Sequence, residues 1–192
     1  RVDAIGRALV TEEIASLGRL VDAFRGFAKL PQVEPRRLDL ESVVGDVARE
    51  HSLVVKAPTR PVWVSGDRFL LRRALLNLVE NSLAVGAKTV EVSWHEMNGE
   101  ARLIVDDDGP GVADKLRDHV FDPYVTGRAG GTGLGLAIVK KTVLEHRGKV
   151  ILDAAPSPLG GARFAIALPI DEAQSPTQGT LTRGLRPIDE AQ

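Results

Sequence analysis

The chain has 192 residues, 43% of them hydrophobic and 27% charged, with 25 Lys and Arg against 26 Asp and Glu. A formal net charge of −1 excludes a general nucleic-acid binder, which needs a basic surface. There is no cysteine and no apolar run long enough to span a bilayer, which excludes a disulfide framework, a thiolate metal site and a membrane span.

The sequence starts without Met or a signal peptide, so it reads as an excised cytoplasmic piece with any membrane anchor outside it. From Thr11 to Leu30 the apolar residues Ile14, Leu17, Leu20, Val21, Phe24, Phe27 and Ala28 follow the three-and-four spacing of an amphipathic helix. Thr11-Glu12-Glu13 supplies its cap and acidic first turn, and Pro31 its stop. Such a face needs a partner, either a further helix, a second subunit or the domain that follows. Pro31 and Pro35 bracket a hinge-like link.

Arg36–Leu40 reads as a strand, Glu41–His51 as a helix, and Leu53–Ala57 and Val62–Ser65 as strands. Asp67 opens a strongly apolar helix to about Val85. Asn77 and Asn81 interrupt it four residues apart, on one face flanked by Ala74 and Ala84. Amides in such a place either bond to nearby loop backbone or line a pocket, with one amide oxygen holding a metal ion. Thr89–Met97 and Ala101–Asp106, joined by Asn98-Gly99, form a hairpin pattern.

The second hairpin strand ends in Asp106-Asp107-Asp108-Gly109-Pro110-Gly111. Three readings are open there. One is a divalent-metal site, one a solvated turn. In the third the backbone approaches a flat ligand and one acceptor-only carboxylate reads an amino group, such as adenine carries. A short helix near Ala113–His119 and the segment Val120–Arg128 follow, and Gly111–Gly131, lacking apolar periodicity, reads as a mobile cover. Then Gly130-Gly131-Thr132-Gly133-Leu134-Gly135-Leu136 runs into an apolar helix, Thr132–His146. Bare backbone and the unpaired N–H groups of a helix start suit a phosphate, although loops and caps use the same residues. Lys149–Asp153 and Ala162–Leu168 make a final strand pair, and after Pro169 the composition is that of a flexible tail. The hexapeptide at Pro169–Gln174 recurs at Pro187–Gln192, too short for a structural repeat.

Taken together, Asn77-x-x-x-Asn81, Asp107-x-Gly109-x-Gly111, Phe121-x-Pro123-Tyr124, Gly131-Thr132-Gly133-Leu134-Gly135-Leu136 and Gly160-Gly161-Ala162-Arg163-Phe164 resemble, in this order, the N, G1, F, G2 and G3 boxes of sensor histidine kinases. Gyrase, Hsp90 and MutL share that ATP-binding fold. The resemblance covers about Arg36–Leu168, and the N-terminal helix resembles the second helix of the dimerisation hairpin in kinases of the NtrY/NtrB kind. It implies an α/β two-layer sandwich of Bergerat type, a mixed sheet with helices on one face, preceded by a long N-terminal helix. The expected divisions are 1–31 as part of a dimerisation hairpin, 32–170 as the ATP-binding domain and 171–192 as tail.

The resemblance also implies ATP and Mg²⁺ as ligands. Asn81 would ligate Mg²⁺, and Asn77 would contact phosphates or the ion's water shell. Asp107 would accept from the adenine amino group, with Gly109 and Gly111 admitting the nucleotide. Tyr124 would sit by the cover, Arg128 would reach the terminal phosphates, and Gly131, Thr132, Gly133, Leu134, Gly135 and Leu136 would wrap the phosphates. The implied partners are a response regulator receiver domain and a second copy in the full-length protein, with no nucleic acid and no membrane contact. Two departures stand out. Of His51, His95, His119 and His146 none sits in a phosphoacceptor pattern, so the acceptor is expected upstream of Arg1, with surface roles for His119 and His146. Where ATPase relatives place a water-activating glutamate stands Asn77, and Glu80 is expected on another helix face. The first implies that this piece binds ATP but needs the upstream segment to autophosphorylate; the second favours phosphoryl transfer over hydrolysis. The same pocket in a serine/threonine kinase of the anti-sigma type, or in a non-transferring nucleotide-gated module, is the alternative.

Overall fold

The computed structural model describes residues 32–128 and 130–171, together with Thr11, Ile14 and Gly18. Its elements in chain order are β1 (Arg36–Asp39), α1 (Leu40–His51), β2 (Val54–Lys56), β3 (Trp63–Gly66), α2 (Arg68–Ala84), β4 (Val90–Met97), β5 (Glu100–Asp107), α3 (Asp114–Arg117), α4 (Gly135–Glu145), β6 (Lys149–Leu152) and β7 (Arg163–Pro169). Thr11, Ile14 and Gly18 are helical; the rest of the expected N-terminal helix and of the tail lies outside the described residues. Among the described residues no helix is long and apolar enough to cross a membrane.

Local chemistry sets the element ends. Asp39 caps α1 by accepting from the Glu41 N–H at 3.1 Å, and Asp67 caps α2 by accepting from Phe69 and Leu70 at 3.0 and 3.1 Å. Asn98 and Gly99 both take positive φ, 55° and 75°, the two-residue turn that matches strand twist between β4 and β5. The five-stranded sheet has the order β2-β4-β5-β7-β6, with β2 parallel to β4 and the other pairs antiparallel. The mixed sheet expected from the sequence is thus present. A separate antiparallel pair, β1 with β3, joins the end of β7 through a bridge from Val64 to Ile170.

Strand alternation divides the sheet into two faces. Val92, Val105 and Phe164 stand side by side across β4, β5 and β7, as do Trp94, Leu103 and Ile166, and all are buried. Helix α1 brings Val43, Val44 and Val47 to this face, α2 brings Leu71, Leu75 and Leu78, and α4 brings Val139 and Val143, in one core cluster. The helices therefore cover one face only, giving two layers. Phe69 and Leu83, apolar but off this stripe, remain 64% and 37% exposed.

His146 corrects a sequence expectation. It does not sit at the surface but is buried, 5% exposed, at the end of α4. Its Nδ1 lies 2.8 Å from the Thr142 carbonyl oxygen, and its Nε2 accepts the Asp67 N–H at 2.9 Å. That assigns the proton to Nδ1 and ties the end of α4 to the cap of α2. The two helices consequently run antiparallel. Replacing His146 with Leu strands the Asp67 N–H, and unfolding in urea is expected to show a loss of about 1–3 kcal/mol.

Candidate functional site

Along β5 the inward positions are Ala101, Leu103, Val105 and then Asp107. A carboxylate thus takes the last core-facing place on a central strand, and it is 2% exposed. Burial requires it to be fully bonded. Its Oδ2 accepts from the Ser82 hydroxyl at 2.7 Å, and its Oδ1 accepts from the backbone of Gly109 at 3.0 Å and of Ala162 at 2.9 Å. The Gly161 N–H donates to the Asp107 carbonyl at 2.9 Å, so the turn before β7 wraps the aspartate.

The neighbouring acids go elsewhere. Asp106 faces the other side of the sheet, where Arg163 grips it with two bonds of 2.8 and 2.9 Å. That contact holds the Arg163 guanidinium above its ordinary range. Asp108 accepts from the Lys88 and Thr89 backbones at 2.7 and 2.9 Å, and these N–H groups, Thr89 foremost, lower its pKa. Strand alternation sends the three carboxylates in different directions, so the divalent-metal reading of this trio is corrected. No group of three or more acidic or histidine side chains among the described residues is placed to hold a metal.

Asp107 lies at one wall of a cleft of about 1120 Å³. Asn77 and Asn81 border the same cleft from α2, and neither amide has a hydrogen-bond partner among the described residues. Local bonding to loop backbone, the simpler reading of the pair, is absent. Glu80 also borders the cleft, against the expectation that it would face away. Cleft walls wider than one helical stripe account for this.

Opposite α2, Gly111, Arg128, Gly131, Thr132, Gly133, Gly135 and Leu136 line the cleft. Helix α4 starts at Gly135 rather than Thr132, because Gly133 takes a φ of 64° that no helix contains. The Gly133 carbonyl accepts the Tyr124 N–H at 2.9 Å, and a side chain on Gly133 would stand 2.4 Å from the Tyr124 carbonyl carbon. Glycine here is a requirement of the close approach. The first turn of α4 has no side-chain cap, leaving its N–H groups available at the cleft.

The structure brings most of the residues singled out in the sequence to one cleft, with three exceptions. Tyr124 is 58% exposed and does not border the cleft; its backbone N–H holds the Gly133 carbonyl. Leu134 is fully buried beneath the loop, and Gly109 serves the cleft by bonding Asp107. The cover is anchored: Phe121 packs edge-on against Phe164 at 6.1 Å, Val120 is buried, and Arg117 donates to the Asp153 and Ala154 carbonyls. Two residues escaped the sequence reading. Ser82 belongs to the buried series Leu71, Leu75, Leu78, Ser82, where a hydroxyl among core positions is the visible signal. Gly161 was grouped with a motif but given no task.

The sequence model of the family described as histidine kinase-, DNA gyrase B-, and HSP90-like ATPase matches residues 66–172. The sensor histidine kinase CpxA of Escherichia coli strain K12 is 42% identical over 125 residues, 62% of this chain and 27% of that protein. The nitrogen regulation protein NtrY of Azorhizobium caulinodans is 29% identical over 170 residues, 79% of this chain and 22% of that protein. The chain therefore spans only a minor part of the length of these relatives. The crystal structure of the ATP binding domain of PrrB from Mycobacterium tuberculosis matches with a TM-score of 0.61 at 27% identity, covering 72% of this chain and 98% of that one.

Proposed function

The chain belongs to the histidine kinase-, DNA gyrase B-, and HSP90-like ATPase family, and from that premise we propose that it is the ATP-binding catalytic domain of a two-component sensor histidine kinase. It presents the γ-phosphoryl group of ATP to a histidine carried by another segment of the protein. One observation carries this reading. A buried carboxylate, two amides unpartnered among the described residues and a glycine turn at a helix start converge on one cleft.

Each part has a task. The outer lone pairs of Asp107 accept the amino group of adenine. The free N–H groups at the start of α4 take phosphate oxygens. The amides fit a magnesium ion, which keeps most of its water and takes few protein ligands, so Asn81 is the proposed ligand and Asn77 its neighbour on the phosphates. The ion would neutralise charge on the phosphate oxygens. The chain's own groups position the nucleotide, which is most of what phosphoryl transfer asks of a protein. Among the described residues no histidine borders the cleft, consistent with an acceptor delivered from elsewhere. Transfer rather than fast hydrolysis rests on Asn77 standing where a water-activating glutamate would be. A receiver domain as the next acceptor and a dimer in the full-length protein complete the proposal.

Incubation of the full-length protein with γ-labelled ATP tests it. Acid-labile label on a histidine is expected; acid-stable label, or none, would overturn the assignment. In the domain itself, Asn81→Ala is expected to abolish the gain in ATP affinity that magnesium brings while leaving metal-free binding within about twofold, since the amide meets the ion and not the base. Calorimetric titration with and without magnesium measures both.

A further inference from the structure

Resting on the nucleotide reading of the cleft, we infer that Arg73 is the residue that reads the terminal phosphate and so distinguishes a nucleoside triphosphate from the diphosphate. Three arginines stand close together on α2. Arg68 pairs with Asp46 and Arg72 with Glu50, both toward α1. Arg73, one residue further, turns the other way and borders the cleft. It is partly buried, and it has no ion pair or hydrogen bond among the described residues. Glu80, Asp107 and Asp114 border the same cleft, but none of them pairs with Arg73, and a guanidinium sheltered there without a carboxylate partner among the described residues is suited to an anionic ligand.

Position along the helix says which anion. Arg73, Asn77 and Asn81 are spaced by four and share a face, and Ser82, bonded to Asp107, follows at once. A rise of 1.5 Å per residue puts Arg73 about 6 Å along the axis beyond Asn77 and about 12 Å beyond Asn81. The start of α4 meets the middle of this row, since a side chain on Gly135 would stand 3.5 Å from the Asn77 amide oxygen. The base end is at Asp107 and the helix-start phosphate site is beside Asn77. Arg73 is therefore the next rung away from the base, where only the last phosphate of an extended triphosphate arrives. Lys115 and Arg128 also border the cleft, but from the cover; Arg73 stands on a helix packed into the core.

Calorimetric titration of the chain with magnesium-ATP and magnesium-ADP tests this, on the parent, Arg73→Ala and Arg73→Gln. Loss of a charge-assisted pair to a phosphate is expected to weaken ATP about tenfold and to leave ADP within about twofold, so that the preference between them collapses in both variants. Equal weakening of both nucleotides, or an unchanged ratio, overturns the role of Arg73 while leaving the pocket assignment standing. A folded parent that binds neither nucleotide overturns the pocket assignment and this inference with it.

Discussion

Gly161→Ala is expected to cost at least about 3 kcal/mol of stability and to abolish nucleotide binding, although it adds a single methyl group. The methyl carbon would stand 2.1 Å from Asp107 Oδ1, 2.6 Å from the Asp107 carbonyl oxygen and 2.6 Å from the Gly109 nitrogen. Two of these three atoms are backbone, so no rotamer change relieves the overlap. The end of β5 and the turn before β7 must separate, and the bonds from Gly161 and Ala162 to Asp107 break together. Thermal unfolding should fall by roughly 10 °C for a domain of this size. Gly45→Ala supplies the contrast. Gly45 sits inside α1, where an added methyl would only touch the end of the Arg49 side chain at 3.5 Å. There the same substitution is expected to stabilise by about 0.5–1 kcal/mol, through lower chain entropy in the unfolded state. A Gly161→Ala protein that melts with the parent and binds ATP would refute the wrapped-aspartate arrangement.

That pair of glycines shows what a sequence discloses. Position 45 is readable because a helix imposes local periodicity on Val43, Val44 and Val47. Position 161 is not, because its constraint comes from a strand more than fifty residues earlier. The hairpin at Asn98-Gly99 and the Asp67 cap were legible for the same local reason. Strand alternation through Ala101, Leu103 and Val105 already points Asp107 inward and Asp106 outward; only the partners, Ser82 and Arg163, needed the fold. His146 was misread because a polar residue at a helix end has many solvated uses. Its burial depends on α4 running back along α2 to Asp67. The early bend before α4 was hidden likewise: Gly133 follows the cover segment, not the helix it precedes.

Asp107→Asn is the second decisive substitution, and it separates recognition from architecture. Asp107→Ala would not, since it leaves the Gly109 and Ala162 N–H groups without an acceptor at about 1–3 kcal/mol each. Asparagine keeps the shape. Its amide oxygen can take the place of Oδ1 and accept from Gly109 and Ala162. Its amide nitrogen then faces Ser82, whose hydroxyl turns from donor to acceptor. The fold should survive with a loss of about 1–2 kcal/mol, the difference between charge-assisted and neutral bonds. The ligand meets a different surface: where Oδ2 accepted an amino group, Nδ2 now donates. Donor against donor should weaken ATP by about 10–100-fold, as sites built for one hydrogen-bonding partner reject its opposite. Guanine presents a carbonyl at the corresponding place, so GTP should lose less than ATP or gain. Paired calorimetric titrations with the two nucleotides read this directly, and an Asp107→Asn protein that keeps the parent's preference for ATP would remove Asp107 from base recognition while leaving its part in the fold intact.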